Sequence, residues 1–121
     1  MQCLSKAVWA VLASLGASAS FVFSAQAQDV ADLHAAGAAL AKQKNCMACH
    51  QVDSRRVGPP FASVAKRYVP AESFRDALAE SIRVGGRGKW SAVPMPAQPH
   101  VSESEALLLA DWILALNPAK P

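Results

Sequence analysis

Cys46-Met47-Ala48-Cys49-His50 reads C-x-x-C-H, the spacing of a covalent haem attachment site. In that pattern each thiol forms a thioether to a haem vinyl group, and the histidine directly after the second cysteine serves as proximal ligand to the iron. Three other uses of a cysteine pair compete with this one. A structural zinc site needs four ligands, generally in two spaced pairs, whereas this chain offers one close pair and, besides His50, only His34 and His100. A thiol redox pair expects a strand-helix-strand setting, and no strand pattern stands out. A plain disulfide has no use for His50. The immediate succession of His50 to Cys49 favours haem.

N-terminal to this stretch, Lys6 precedes an apolar run, Ala7 to Phe23, followed by Ser24-Ala25-Gln26-Ala27. A basic start, an apolar middle and an A-x-A end make a secretory signal peptide over residues 1–27, with cleavage expected after Ala27. An uncleaved membrane anchor is the competing reading. The many Ser, Ala and Gly residues in the run and the well-formed cleavage motif favour removal, so no stable membrane insertion is expected afterwards. Cys3 leaves with the leader, and only Cys46 and Cys49 remain. Export places the mature chain in the periplasm, where a free pair would ordinarily oxidise to a disulfide; haem attachment takes both sulfurs instead.

Residues 28–121 are the length of one domain. The formal charge of the whole chain is +3, and loss of the leader removes only Lys6 and leaves +2. Two haem propionates bring that near neutrality, and nothing resembles the concentrated basic stripe of a nucleic-acid binder. A domain this small buries a modest fraction of its surface, so a covalently held apolar macrocycle would supply much of the missing core.

Proline and glycine divide the chain into helices. Val30 to about Lys44 is predicted to be helical, with Leu33, Gly37, Leu40 and Ala41 on one face and Asn45 as its end. A mid-helix glycine costs about 1 kcal/mol relative to alanine, which suggests a close approach at Gly37, though a tolerated surface glycine fits as well. Pro59-Pro60 begins a short helix, Phe61 to Tyr68, whose buried stripe is Phe61, Val64, Ala65 and Tyr68. Pro70 opens another helix running to Val84, with Phe74, Leu78 and Ile82 on one side and Gly85 as its stop. Residues 85–101 read as a loop rich in glycine and proline. Ser102 and Glu105 match the S-x-x-E capping box, with Val101 placed for a hydrophobic staple. Leu108, Leu109, Trp112, Ile113 and Leu116 form the apolar face of the last helix, which Asn117-Pro118 ends.

A haem held by His50 needs a sixth ligand or leaves an open coordination position. Met47 lies between the tethered cysteines and cannot reach the other face. Met95 sits in Val93-Pro94-Met95-Pro96, where the flanking prolines fix backbone angles and can hold the thioether steady. A methionine there can also be an apolar plug, and His100, five residues on, could make a bis-histidine site. His34 reads as a helix-surface residue. A metal-bound histidine usually donates its other ring N–H to an acceptor; the Val57-Gly58-Pro59 turn could offer a carbonyl. Trp90 could donate its indole N–H to a propionate or simply pack on the ring edge.

Several stretches together resemble the small monohaem class I cytochromes c of the c-551 type. They are Lys44-Asn45-Cys46-Met47-Ala48-Cys49-His50, Val57-Gly58-Pro59, Gly88-Lys89-Trp90 with Val93-Pro94-Met95-Pro96, and Val101-Ser102 leading into Ala110-Asp111-Trp112-Ile113-Leu114. The resemblance covers roughly residues 37–116. It implies an all-α cytochrome c fold of about four helices around one haem, with the first and last helices crossing near Gly37 and Trp112. It implies His50 and Met95 as axial ligands, the Pro59 carbonyl as partner of the His50 ring, and Trp90 near a propionate. The chain departs from the family where an asparagine often follows the ligand methionine, since the nearest counterpart is Gln98. For the arginine or lysine the family often directs at a propionate from the end of the third helix, Arg83 is available.

A buried, doubly ligated iron exchanges one electron without binding substrate. No nucleophile–base pair stands out, so the expected function is an electron carrier rather than an enzyme. The expected partners are other redox proteins: a membrane cytochrome complex, a terminal oxidase, or a periplasmic reductase or dehydrogenase. A permanent haem subunit of a periplasmic oxidoreductase is the alternative, and the carrier is expected to be a monomer. Arg55, Arg56, Lys66, Arg67, Arg87 and Lys89 could border an exposed haem edge and steer acidic partners. An ordinary solvated surface is the more common explanation for such residues.

Overall fold

The computed structural model describes residues 22–68 and 70–117. Its elements run α1 (Val22–Gln43), a single 3-10 turn (Cys46–Ala48), α2 (Phe61–Arg67), α3 (Ala71–Val84) and α4 (Glu103–Ala115). Residues 1–21 of the expected signal peptide, 1–27, lie outside the described residues. None of the described helices is long and apolar enough to cross a membrane.

α1 begins eight residues before the expected Val30. No proline or glycine interrupts Val22 to Asp29, and the alanines and glutamines there favour helix, so nothing stops the helix at the anticipated start. Its other end is as expected. Asn45 adopts φ +60°, a left-handed conformation that asparagine tolerates better than most residues. The chain then turns directly into the C-x-x-C-H stretch.

Pro60 precedes the first residue of α2, and Pro70 stands in the same place before α3. Gly85, at φ +75°, stops α3. Ser102 caps α4 through a complete capping box. The Ser102 hydroxyl accepts from the Glu105 N–H at 3.2 Å, and the Glu105 carboxylate accepts from the Ser102 N–H at 2.9 Å. Such a cap stabilises a helix by about 1 kcal/mol.

α4 packs against the other three helices. Trp112, Leu109, Ile113 and Ala110 are buried beneath Leu40 and Ala41 of α1, Phe61 and Val64 of α2, and Leu78 and Ile82 of α3. The expected crossing of α1 and α4 is present: a Cβ on Gly37 would overlap Cβ and Cγ of Trp112. Glycine therefore sets the approach of the two helices, and its propensity cost is offset by contact made at backbone distance. The Arg75 guanidinium grips Asp111 in a bidentate pair (2.5 and 2.8 Å), tying α3 to α4. Lys44 joins the end of α1 to the start of α4 through Glu105 at 2.9 Å.

Candidate functional site

The 3-10 turn at Cys46–Ala48 puts both thiols on one short arc. Cys46 is half-buried, Cys49 is exposed, and neither is in a disulfide. Burial pushes the Cys46 thiol above its ordinary pKa, only partly offset by a backbone hydrogen bond. The following residues fold back over the turn. The Cys49 carbonyl accepts from the N–H groups of Val57 (3.2 Å) and Gly58 (2.8 Å). This closes a loop that delivers Gly58 and Pro59 to His50.

His50 is buried. Its Nδ1–H donates to the Pro59 carbonyl at 2.8 Å, which leaves Nε2 as the ring nitrogen carrying a lone pair. A Cβ at Gly58 would fall 2.7 Å from Nδ1 and 2.9 Å from Nε2, so only glycine lets the loop lie against the ring. On another side Phe61 stacks on the imidazole, with centroids 5.0 Å apart and planes 17° from parallel. Carbonyl, glycine backbone and phenyl together fix the ring orientation, an arrangement typical of metal-ligating histidines.

These residues open onto a cleft with about 170 Å³ of interior space. Cys46, Cys49 and His50 border it, as do Pro59 and Phe61, the apolar side chains of α2, α3 and α4, and the loop from Gly85 through Gln98. Met95 and Trp90 are both among the lining residues. The expected loop contains a structured element that its composition conceals. Gly86 and Met95 form an isolated antiparallel bridge, with N–H to carbonyl distances of 3.0 and 2.8 Å in the two directions. Met95 is thus pinned by its own backbone. Gly85 packs so closely behind it that a Cβ there would overlap the Met95 carbonyl.

Trp90 is half-buried, with the Arg67 guanidinium 4.6 Å from the centroid of its ring. Gln98 also borders the cleft, but its side-chain amide donates to the Pro96 carbonyl at 3.0 Å, which commits that donor to the loop. His100 is not among the lining residues. Its Nε2 is 3.5 Å from the Lys44 carbonyl, on the outside of the α1–α4 junction. Arg83 lies by a separate surface hollow with Glu80 and Glu103, 3.9 Å from the Glu80 carboxylate. The role sequence reasoning did not assign is that of Phe61. The helical pattern puts it on a buried stripe but does not show that its ring faces His50; its position directly after Pro59-Pro60 is the local signal for that role.

The residues fit a covalently held haem. Two free thiols flank the base of a largely apolar cleft, and beside them stands an imidazole with one nitrogen fixed by a carbonyl and the other uncommitted. Among the described residues no three or more His, Cys, Asp or Glu side chains are placed so that they could hold a bare metal ion between them.

Comparison with known proteins agrees. The family described as Cytochrome c matches residues 34–117. Cytochrome c-552 of Hydrogenobacter thermophilus is 50% identical over 78 residues, covering 64% of this chain and 79% of that protein. Cytochrome c-552 of Nitrosomonas europaea is 44% identical over 95 residues, covering 78% and 92%. Cytochrome c-551 of Azotobacter vinelandii is 46% identical over 78 residues, covering 64% and 94%. The crystal structure of the wild-type Nitrosomonas europaea protein superposes with a TM-score of 0.64, over 66% of this chain and 99% of the other. This chain belongs to the cytochrome c family, as a small class I monohaem member with covalently attached haem c that carries electrons and is not an enzyme.

Proposed function

We propose that this cytochrome is a monomeric periplasmic carrier whose haem is held by Cys46 and Cys49 and ligated by His50 and Met95. Its leader, residues 1–27, is removed after Ala27. Haem c supplies a one-electron iron couple. His50 would bind the metal through Nε2, with Nδ1–H held by Pro59. Met95 would supply the second ligand from the Gly86-bridged loop, and a thioether paired with histidine raises the reduction potential. Both candidate ligands stand on backbone fixed by hydrogen bonds, so they would keep their positions as the charge on the metal changes. Little rearrangement then opposes electron exchange. The partners are redox proteins: a membrane cytochrome complex, a terminal oxidase, or a periplasmic reductase or dehydrogenase.

The observation that carries this reading is the His50 imidazole. It is buried, tied at Nδ1 and free at Nε2, on the wall of a cleft that Met95 also lines. Replacement of Met95 tests it. Met95→Ala is expected to retain covalent haem, to show a ferric spectrum with an open or water-filled position, and to have a lower potential. A ferric spectrum identical to that of the parent protein removes Met95 from the ligand role. Intact mass and a pyridine haemochrome spectrum of the secreted protein check the two thioethers and the cut after Ala27 together.

A further inference from the structure

The charged groups on the cleft wall are one-sided. Arg87 and Lys89 line it, and no carboxylate does among the described residues. Arg83, the cation that the end of α3 was expected to contribute, lies elsewhere with Glu80. The α3 residues that do line the cleft near that end are Ser81 and Ile82, neither of which carries a charge. The Lys89 ammonium donates to the Ser81 hydroxyl at 3.2 Å. A loop lysine is thereby drawn back onto α3, next in sequence to Trp90. Arg67 fixes the same segment from the other side. Its Nη1 donates to the Lys89 carbonyl at 2.5 Å while the guanidinium lies over the Trp90 ring. The indole N–H has no hydrogen-bond partner among the described residues.

We propose that Lys89, positioned by the Ser81 hydroxyl and by Arg67 acting on its backbone, is the cation that pairs with a haem propionate beside the Trp90 indole N–H, in place of a charged residue on α3. An ammonium has three donors; one engages Ser81 and the others stay available for a carboxylate. The inference rests on the cleft being the haem site. Lys89 is exposed, so its pairing is screened and modest in strength. Removing it leaves the propionate charge less balanced near the iron, which favours the ferric form and lowers the reduction potential.

The test measures midpoint potentials of purified holoproteins at low and high salt. Lys89→Ala is expected to shift the ferrous/ferric ratio at a fixed applied potential about two- to fivefold toward ferric, the span that exposed ion pairs show. High salt should shrink the difference. Lys89→Arg should restore the parent value. Ser81→Arg placed in the Lys89→Ala background should restore it as well, because it puts a cation back on α3. Ser81→Ala should give a smaller shift in the same direction. An unchanged midpoint in haem-loaded Lys89→Ala would overturn the assignment. So would an equal or larger shift in Arg83→Ala or Arg87→Ala. Parent protein that took up no haem would overturn the site reading and this inference together.

Discussion

The imidazole of His50 lies nearly parallel to the phenyl ring of Phe61, at 5.0 Å between centroids. Phe61 in turn meets Trp112 edge-on at 5.1 Å and 68°, and Trp112 sits in the space that Gly37 leaves open. A continuous line of contact therefore runs from α1 through α4 and α2 to the candidate iron ligand. Packing of the helices and orientation of His50 are one structural problem in this protein, not two.

Phe61→Ala should expose that linkage. Phe61 is only 5% exposed, and truncation of a buried phenylalanine costs about 3–5 kcal/mol. The hydrogen bond to Pro59 would survive, but the ring would lose the surface that sets its tilt. Denaturant unfolding of the holoprotein should show the lost stability, with a broadened or shifted haem spectrum in the folded state. Phe61→Leu should recover most of the stability and less of the spectrum, because it restores volume without a flat face. A spectrum unchanged in both variants would mean that the carbonyl and Gly58 orient His50 unaided.

Gly37→Ala tests the helix crossing directly. The added methyl would overlap the root of the Trp112 side chain, an atom pair that no rotamer change can separate. The helices must part, and overpacking of this kind costs about 1–3 kcal/mol. That exceeds the roughly 1 kcal/mol gained in helix propensity, so net destabilisation is expected in urea or thermal unfolding. A stabilised variant would show that α1 can slide on α4 at little cost.

These two positions illustrate what could be read in advance. The family resemblance pairs Gly37 with Trp112, and a local pattern whose chemistry is complete within four residues pairs Ser102 with Glu105. The ends of α1 and α3 were legible for the same reason, since Asn45 and Gly85 act through their own backbone angles. The start of α1 was not. Residues 22–29 suit a leader and a helix equally, and composition does not separate the two uses. The Gly86–Met95 bridge was also invisible, because it is made of backbone groups and depends on where the loop returns. Arg83 and Lys89 were both plausible neighbours of the cleft. Only the turn of α3 decides that Arg83 lies by the outer hollow while Ser81 faces in.

Glu105 gives the protein a specific dependence on acid. The Lys44 ammonium, and after it the Ser102 N–H, hold its carboxyl below the ordinary glutamate range. A group whose pKa falls on folding binds fewer protons in the native state than in the unfolded state. Its contribution is therefore complete above the unfolded value of about 4.3 and fades as the pH drops through the lower folded value. Glu105→Gln keeps a side chain that can complete the capping box but loses the charge. It should be less stable than the parent at pH 7 and should converge with it in strong acid. Parallel stability curves for the two proteins between pH 7 and pH 3 would show that the Lys44 pair contributes nothing.

Gly85 and Gly88, on the loop that carries Met95, separate backbone strain from collision. Gly85 has φ +75° and ψ −164°, a region open essentially to glycine alone, where another residue costs about 1–3 kcal/mol. A methyl there would also strike the Met95 carbonyl and come within 2.8 Å of the Ala97 nitrogen. Gly88 has nearly the same φ, +74°, but nothing within 4 Å of its would-be Cβ. Gly88→Ala should therefore show strain alone, as a stability loss without a change at the haem. Gly85→Ala should show a larger loss together with a weakened Met95 contact, because the collision pushes on the Met95 carbonyl that closes the bridge to Gly86. Unfolding midpoints measure the first quantity, and the ferric spectrum with the reduction potential measures the second. Equal behaviour of the two variants in both measurements would mean that the Gly85–Met95 packing does not hold the thioether in place.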